Sequence, residues 1–219
     1  MKLIRIALAL LFTLALAAPL TAADDAEAVA ALQKLGARFR KNDDGNIKTV
    51  LLEGVKLEDA DLASLLGLPD LDKLDLTATA AGDEAMKFVV LCKKLRWLEM
   101  SQSKVTDKGL AVLTVLKGLE YLEVPVATTD AGLKHVGQIT SLRTLYTGST
   151  FVTDKGLPHL KNLQNLHTLF ISYTRITDGG LKNFTGLRSL RRLHVAETYV
   201  TKEGVKRFSQ KRPKVAVRY

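Results

Sequence analysis

The hexapeptide Val105–Leu110, V-T-D-K-G-L, returns unchanged at Val152–Leu157, 47 residues further on. An aspartate between a threonine and a glycine can be read as chemistry or as architecture. Word-for-word duplication in one short chain favours architecture, because a reacting group is needed once and a building unit many times.

Working outward, the apolar frame L-x-x-L-x-L recurs from Ile47, Leu71, Leu95, Leu119, Leu142, Leu166 and Leu190, at intervals of 24, 24, 24, 23, 24 and 24 residues. Seven copies at one period signal a stacked repeat array. After six of the frames comes a small or hydroxyl residue (Thr79, Ser103, Ala127, Thr150, Thr174, Thr198), then T-D-x-G-L or a variant of it and further apolar positions at three-residue spacing. Alternation within L-x-x-L-x-L predicts a short strand with its leucines inward. The spacing Leu157, Leu160, Leu163 predicts a short helix with one inward stripe. Neither element buries its face alone, but stacked copies do, giving a parallel sheet on one side and helices on the other.

In this frame the threonine is a natural helix N-cap. The aspartate falls in the first helical turn, where negative charge suits the helix dipole. Asp59, Asp83, Asp107, Asp130, Asp154 and Asp178 hold this register and Lys202 breaks it. An acid present in six copies reads as structural. The fourth copy lacks one residue between Ala127 and Asp130, and that shorter loop is expected to draw the sheet edge inward.

The stretches Ser103–Leu110, Thr150–Leu157, Thr174–Leu181 and Thr198–Val205 resemble the leucine-rich repeat family, in its 24-residue T-x-[VI]-T-D-x-G-L form known from exported bacterial proteins. The resemblance covers about residues 47–217. It implies an α/β curved solenoid of seven repeats, with a parallel sheet on the concave face, helices on the convex face and a binding role. One departure is the threonine or serine standing where the family usually has asparagine after the strand, so a hydroxyl must satisfy the turn backbone.

The ends need caps. Residues 24–35 read as an amphipathic helix, residues 37–52 as a hairpin turning at Asp43–Gly45, and residues 214–219 as a closing edge strand after Pro213. Ahead of them, Lys2 and Arg5, the apolar run Ile6–Ala18, Pro19 and the small residues Thr21, Ala22 and Ala23 read as a secretory signal peptide over 1–23, cleaved after Ala22 or Ala23. That run is too short to span a bilayer, so a secreted or periplasmic protein without a transmembrane segment is expected. The single cysteine, Cys92, allows no internal disulfide, and its place in the leucine register reads as a buried hydrophobe.

Outward strand positions should form columns. One reads Thr49, Lys73, Trp97, Tyr121, Thr144, Thr168, Arg192, and the next reads Leu51, Asp75, Glu99, Glu123, Tyr146, Phe170, His194. Trp97, Tyr121, Tyr146 and Phe170, with Tyr173 at the rim, are candidate contacts for a protein or peptide ligand. Asp75, Glu99 and Glu123 form a carboxylate ladder that repels itself unless a cation is present, which points to a lysine or arginine of the partner.

The net charge of +9 is carried by the segment from Lys182 onward, which holds eleven basic and two acidic residues. Within it Arg191, Arg192, Lys206, Arg207, Lys211 and Arg212 make a candidate patch for an anionic envelope component, with nucleic acid not expected for an exported chain. His135 and His159 occupy equivalent helix positions but are too few for a metal site. No Gly-rich phosphate loop, Ser-His-Asp set or metal motif occurs, so neither a cofactor nor a catalytic role is expected.

Overall fold

The computed structural model describes residues 22–219, and the signal-peptide reading of 1–23 lies almost wholly outside them. Helix α1 (Ala22–Leu35) is followed by β1 (Arg38–Lys41) and β2 (Ile47–Leu51). Six three-residue strands then recur at the predicted period: β3 (Lys73–Asp75), β4 (Trp97–Glu99), β5 (Tyr121–Glu123), β6 (Thr144–Tyr146), β7 (Thr168–Phe170) and β8 (Arg192–His194). They join one nine-stranded sheet in sequential order, closed by β9 (Ala216–Arg218). β1 pairs antiparallel with β2 and every later pairing is parallel. The charged Arg38, Arg40 and Lys41 occupy the β1 edge, which discourages another strand from pairing there.

The middle residue of each strand points inward. Leu74, Leu98, Leu122, Leu145, Leu169 and Leu193 are fully buried and stack into one continuous core. Opposite them run the convex segments, of which α2 (Met86–Val89), α3 (Asp107–Val112), α4 (Asp130–Val136), α5 (Asp178–Leu181) and α6 (Lys202–Lys211) are α-helical. Asp59–Gly67 and Leu157–Asn162 are 3₁₀ helices instead. A three-residue spacing such as Leu157, Leu160, Leu163 matches the 3₁₀ period better than the α period. At the N-terminal end α1 packs on Asp59–Gly67, with Leu32 fully buried.

The repeated aspartate joins neighbouring copies. Asp83 accepts the Thr106 N–H at 2.8 Å and the Thr106 hydroxyl at 2.8 Å, and it also accepts the Gly109 N–H at 2.9 Å. The same carboxylate-to-threonine pair recurs from Asp107 to Thr129, Asp130 to Thr153, Asp154 to Thr177 and Asp178 to Thr201. In the first copy Asp59 accepts the Gly82 N–H. Four of these threonines, Thr106, Thr129, Thr177 and Thr201, are also N-caps of their own helices: Thr106 accepts from Lys108 N–H and Thr129 from Ala131 N–H. The motif's glycine is fixed by the same joint, since a Cβ at Gly109 would stand 2.6 Å from Asp83 Oδ1 and one at Gly156 2.5 Å from Asp130 Oδ1. Threonine, aspartate and glycine are thus three parts of one contact between consecutive repeats, and the dipole reading of the aspartate is corrected to that extent. β9 carries no T-D-x-G turn, so no joint requires an acid at Lys202.

After six of the seven strands β2–β8 the chain turns through a left-handed residue. Gly54 (φ 70°), Ala78 (55°), Gln102 (55°), Ser149 (57°), Tyr173 (58°) and Glu197 (53°) hold the same position in six copies. The expected hydroxyl secures this turn: Thr79, Thr150, Thr174 and Thr198 donate to Leu76, Thr147, Ile171 and Val195 carbonyls at 2.6–2.7 Å. In the fourth copy the left-handed residue is absent. There Thr128, rather than Ala127, supplies the hydroxyl, donating to the Pro125 carbonyl at 2.6 Å. The register Tyr121↔Thr144 and Glu123↔Tyr146 continues unbroken past it, so the missing residue is absorbed in the loop.

Candidate functional site

Three-residue strands leave two outward side chains each, and parallel pairing stacks these into the two columns read from the sequence. Lys73↔Trp97, Trp97↔Tyr121 and Tyr121↔Thr144 are neighbours in one; Asp75↔Glu99, Glu99↔Glu123, Glu123↔Tyr146, Tyr146↔Phe170 and Phe170↔His194 in the other. Adjacent strands are about 4.8 Å apart, close enough for outward rings to touch.

The rings form one file. Trp97 stacks on Tyr121 with centroids 3.5 Å apart and planes within 7°. Tyr121 meets Tyr146 at 5.4 Å, tilted 42°, where the file crosses from the first column to the second. Tyr146 stacks on Phe170 at 3.7 Å, and Phe170 on His194 at 4.0 Å. His194 is therefore a fifth member that sequence reasoning left out; its place beside Phe170 in the column was the available signal. The stacking occupies ring faces and leaves edges toward the groove: Trp97 keeps 36% of its surface exposed, and Tyr121, Tyr146, Phe170 and His194 are half-buried. Tyr173 stands outside the file, 63% exposed, beyond β7 on the rim that also exposes Phe151 and Tyr199.

The carboxylate ladder is partly answered by the chain itself. Lys73 Nζ lies 3.1 Å from Glu99 Oε1 and 4.4 Å from the Trp97 ring centroid, a cation–π position. Trp97 Nε1 donates to the same Glu99 oxygen at 2.6 Å. Asp75 is only 8% exposed, and its Oδ1 accepts the Thr77 N–H at 2.9 Å. The expectation that all three acids await a partner's cation is corrected here for two of them: Asp75 and Glu99 are committed within the chain, whereas Glu123 has no ion-pair partner among the described residues. Burial, then the Glu99 charge, pushes the Glu123 carboxyl above its ordinary range, while a hydrogen bond from Ser101 works the other way. Burial also raises the Tyr121 and Tyr146 phenols. His194 is held below the usual imidazole range by burial and then by Arg218 and Arg192.

The basic patch divides. Arg212 is not free: its guanidinium donates to the Phe184, Thr185, Leu187 and Leu190 carbonyls at 2.8–3.4 Å, closing the last repeat. Arg207 pairs with Asp178 at 2.9 Å and Glu203 at 3.8 Å, and Arg191 bonds the Arg188 and Leu190 carbonyls. Arg192, Lys206 and Lys211 remain exposed. A third outward column, also unread in the sequence, is self-neutralising: Arg96 pairs with Asp72 at 2.8 Å and Glu120 at 3.7 Å, and Arg143 pairs with Glu120 at 3.3 Å. Cys92 is buried and its thiol is pushed up to about 12 by desolvation. Among the described residues no three metal-ligating side chains gather, and no helix is long and apolar enough to cross a membrane.

No protein-family model and no curated protein matches the sequence. Among solved structures the chain is similar to internalin C2 from Listeria monocytogenes, at 18% identity and a TM-score of 0.65, over 87% of this chain and 80% of that one. It is also similar to the leucine-rich repeat ectodomain of the Arabidopsis receptor kinase HAESA, at 15% identity and a TM-score of 0.57. That match covers 88% of this chain and 40% of the HAESA chain. The fold is a leucine-rich repeat solenoid. The five-ring file therefore lies on the concave face of a leucine-rich repeat sheet, and Asp83 with its counterparts joins consecutive repeats where their convex turns begin.

Proposed function

We propose that this protein is an exported, non-catalytic recognition module that binds a protein or peptide partner in its concave face. One observation carries the reading: the file from Trp97 to His194 sets five half-exposed rings side by side on the outward face of the sheet. Outward strand positions facing water should be polar, and clustered aromatics there characterise recognition surfaces. The HAESA ectodomain, which shares the fold, was solved in complex with a peptide hormone ligand. Export rests on the signal-like first 23 residues. The commitment of Arg191, Arg207 and Arg212 to internal contacts leaves the anionic-polymer reading the weaker of the two.

A pull-down from an extracellular or periplasmic fraction, comparing wild type with Trp97→Ala/Tyr146→Ala at low and high salt, tests this. A partner lost in the variant and kept in salt supports the groove. Binding that survives the substitution and disappears in salt overturns it, because contacts to exposed charges are screened and aromatic ones are not.

A further inference from the structure

The second column continues past the aromatic file. From β5 to β9 it reads Glu123, Tyr146, Phe170, His194, Arg218, and Arg192 lies two residues before His194 on β8. One end is acidic and the other cationic. Among the described residues the guanidinium groups of Arg192 and Arg218 have neither an acidic nor a hydrogen-bonding partner, whereas Arg191, Arg207 and Arg212 are all engaged. Both arginines are exposed. Their charges reach His194, which sits between them and closes the ring file.

We propose that Arg192 and Arg218, with His194 between them, form a carboxylate-binding subsite at the end of the concave groove, so that the face takes a dipolar peptide segment whose basic group lies over Glu123. The proposal rests on the groove reading above and adds polarity and length to it. A guanidinium fork binds a carboxylate through two parallel hydrogen bonds, and carboxylates are the anionic groups of an unmodified peptide. Glu123, half-buried and short of an own-chain cation, is the matching acceptor for lysine or arginine. The two poles are three to four strands apart, about 14–19 Å at the inter-strand spacing, which an extended peptide crosses in about four to six residues. The intervening side chains then lie on the edges of Tyr146 and Phe170. The carboxylate comes either from an acidic side chain or from a free C-terminus.

The test uses the protein's sole tryptophan, Trp97, as reporter, with calorimetry in parallel. The first probe is acetyl-Lys-Ala-Phe-Ala-Ala-Glu-amide. Its companions replace Glu by Gln, replace Lys by Gln, shorten it to acetyl-Lys-Ala-Glu-amide, or end in alanine with a free carboxylate. The first probe is expected to bind about tenfold more tightly than the Gln-ended and shortened ones, the scale of one charge-assisted contact. Arg192→Gln/Arg218→Gln should remove that advantage and leave binding of the Gln-ended probe unchanged. Comparison with the free-acid probe tells a C-terminal carboxylate from a side-chain one. Equal binding of the Glu- and Gln-ended probes, or no response to either, overturns the carboxylate subsite. The groove reading is judged separately by the Trp97→Ala/Tyr146→Ala pull-down.

Discussion

Gly204 at the start of α6 sits directly against the carboxylate of Asp178, one repeat earlier, and a Cβ at Gly204 would overlap both of its oxygens. The same carboxylate holds the Thr201 N–H at 2.7 Å and its hydroxyl at 2.8 Å. The glycine is present because of a residue in another repeat, with no demand for an unusual backbone angle.

That relationship predicts a change of sign. Gly204→Ala alone should destabilise the protein by about 1–3 kcal/mol through overpacking. In an Asp178→Ala background the same substitution should stabilise by up to about 1 kcal/mol, because alanine is the better helix former. Urea unfolding of the four proteins measures the coupling, and additive effects would mean that the joint does not fix the glycine.

The left-handed turn gives a second test at Gln102, whose side chain is exposed and whose φ is 55°. Left-handed backbone costs an L-residue about 1–2 kcal/mol, partly offset in glycine by its greater unfolded-state freedom. Gln102→Gly should raise stability by about 0.5–1 kcal/mol and Gln102→Val should lower it. Val126, in the shortened copy, lacks the positive φ, so Val126→Gly should give no gain.

Much of this was legible because it is periodic. Inward leucines and outward columns follow from strand alternation, so the placement of Trp97, Tyr121, Tyr146 and Phe170 in two adjoining columns needed no coordinates. Periodicity does not say whether Asp83 serves its own turn or the next repeat, since both alternatives recur every 24 residues. Nor does it show that Lys73 leans diagonally to Glu99, or that Arg212 folds back on four carbonyls: those are choices of rotamer and chain direction that a column of letters does not contain.

Glu123 carries a pH prediction. Its carboxyl is held above the ordinary range, first by burial, so the folded chain keeps that proton to higher pH than the unfolded chain. Its contribution to stability is full below the ordinary carboxylate range and is lost as pH rises through the raised value. Glu123→Gln should therefore raise Tm at about pH 7 and leave it unchanged at about pH 3.5. Thermal melts at the two pH values check this, and a lower Tm at neutral pH would contradict it.

Arg212 should prove specific in kind as well as in charge. Its fork reaches three carbonyls of the preceding repeat and that of Leu190, which opens its own, an arrangement that a lysine ammonium cannot reproduce from one point. Both Arg212→Ala and Arg212→Lys should lose about 1–3 kcal/mol. Hydrogen exchange should rise first in α6 and β9, the elements this side chain holds in place.

The joint between aspartate and threonine makes the array easy to cut and rejoin. Because five of the six seams present the same carboxylate to the same threonine and glycine, removing one whole period among them brings together ends that already fit, and adding one creates two seams of the existing kind. Array length is therefore set independently of how tightly any single unit packs. Recombination within a gene of this type can lengthen or shorten the sheet one strand at a time, and a unit inserted after the last copy would meet Lys202 where the other seams offer an acid.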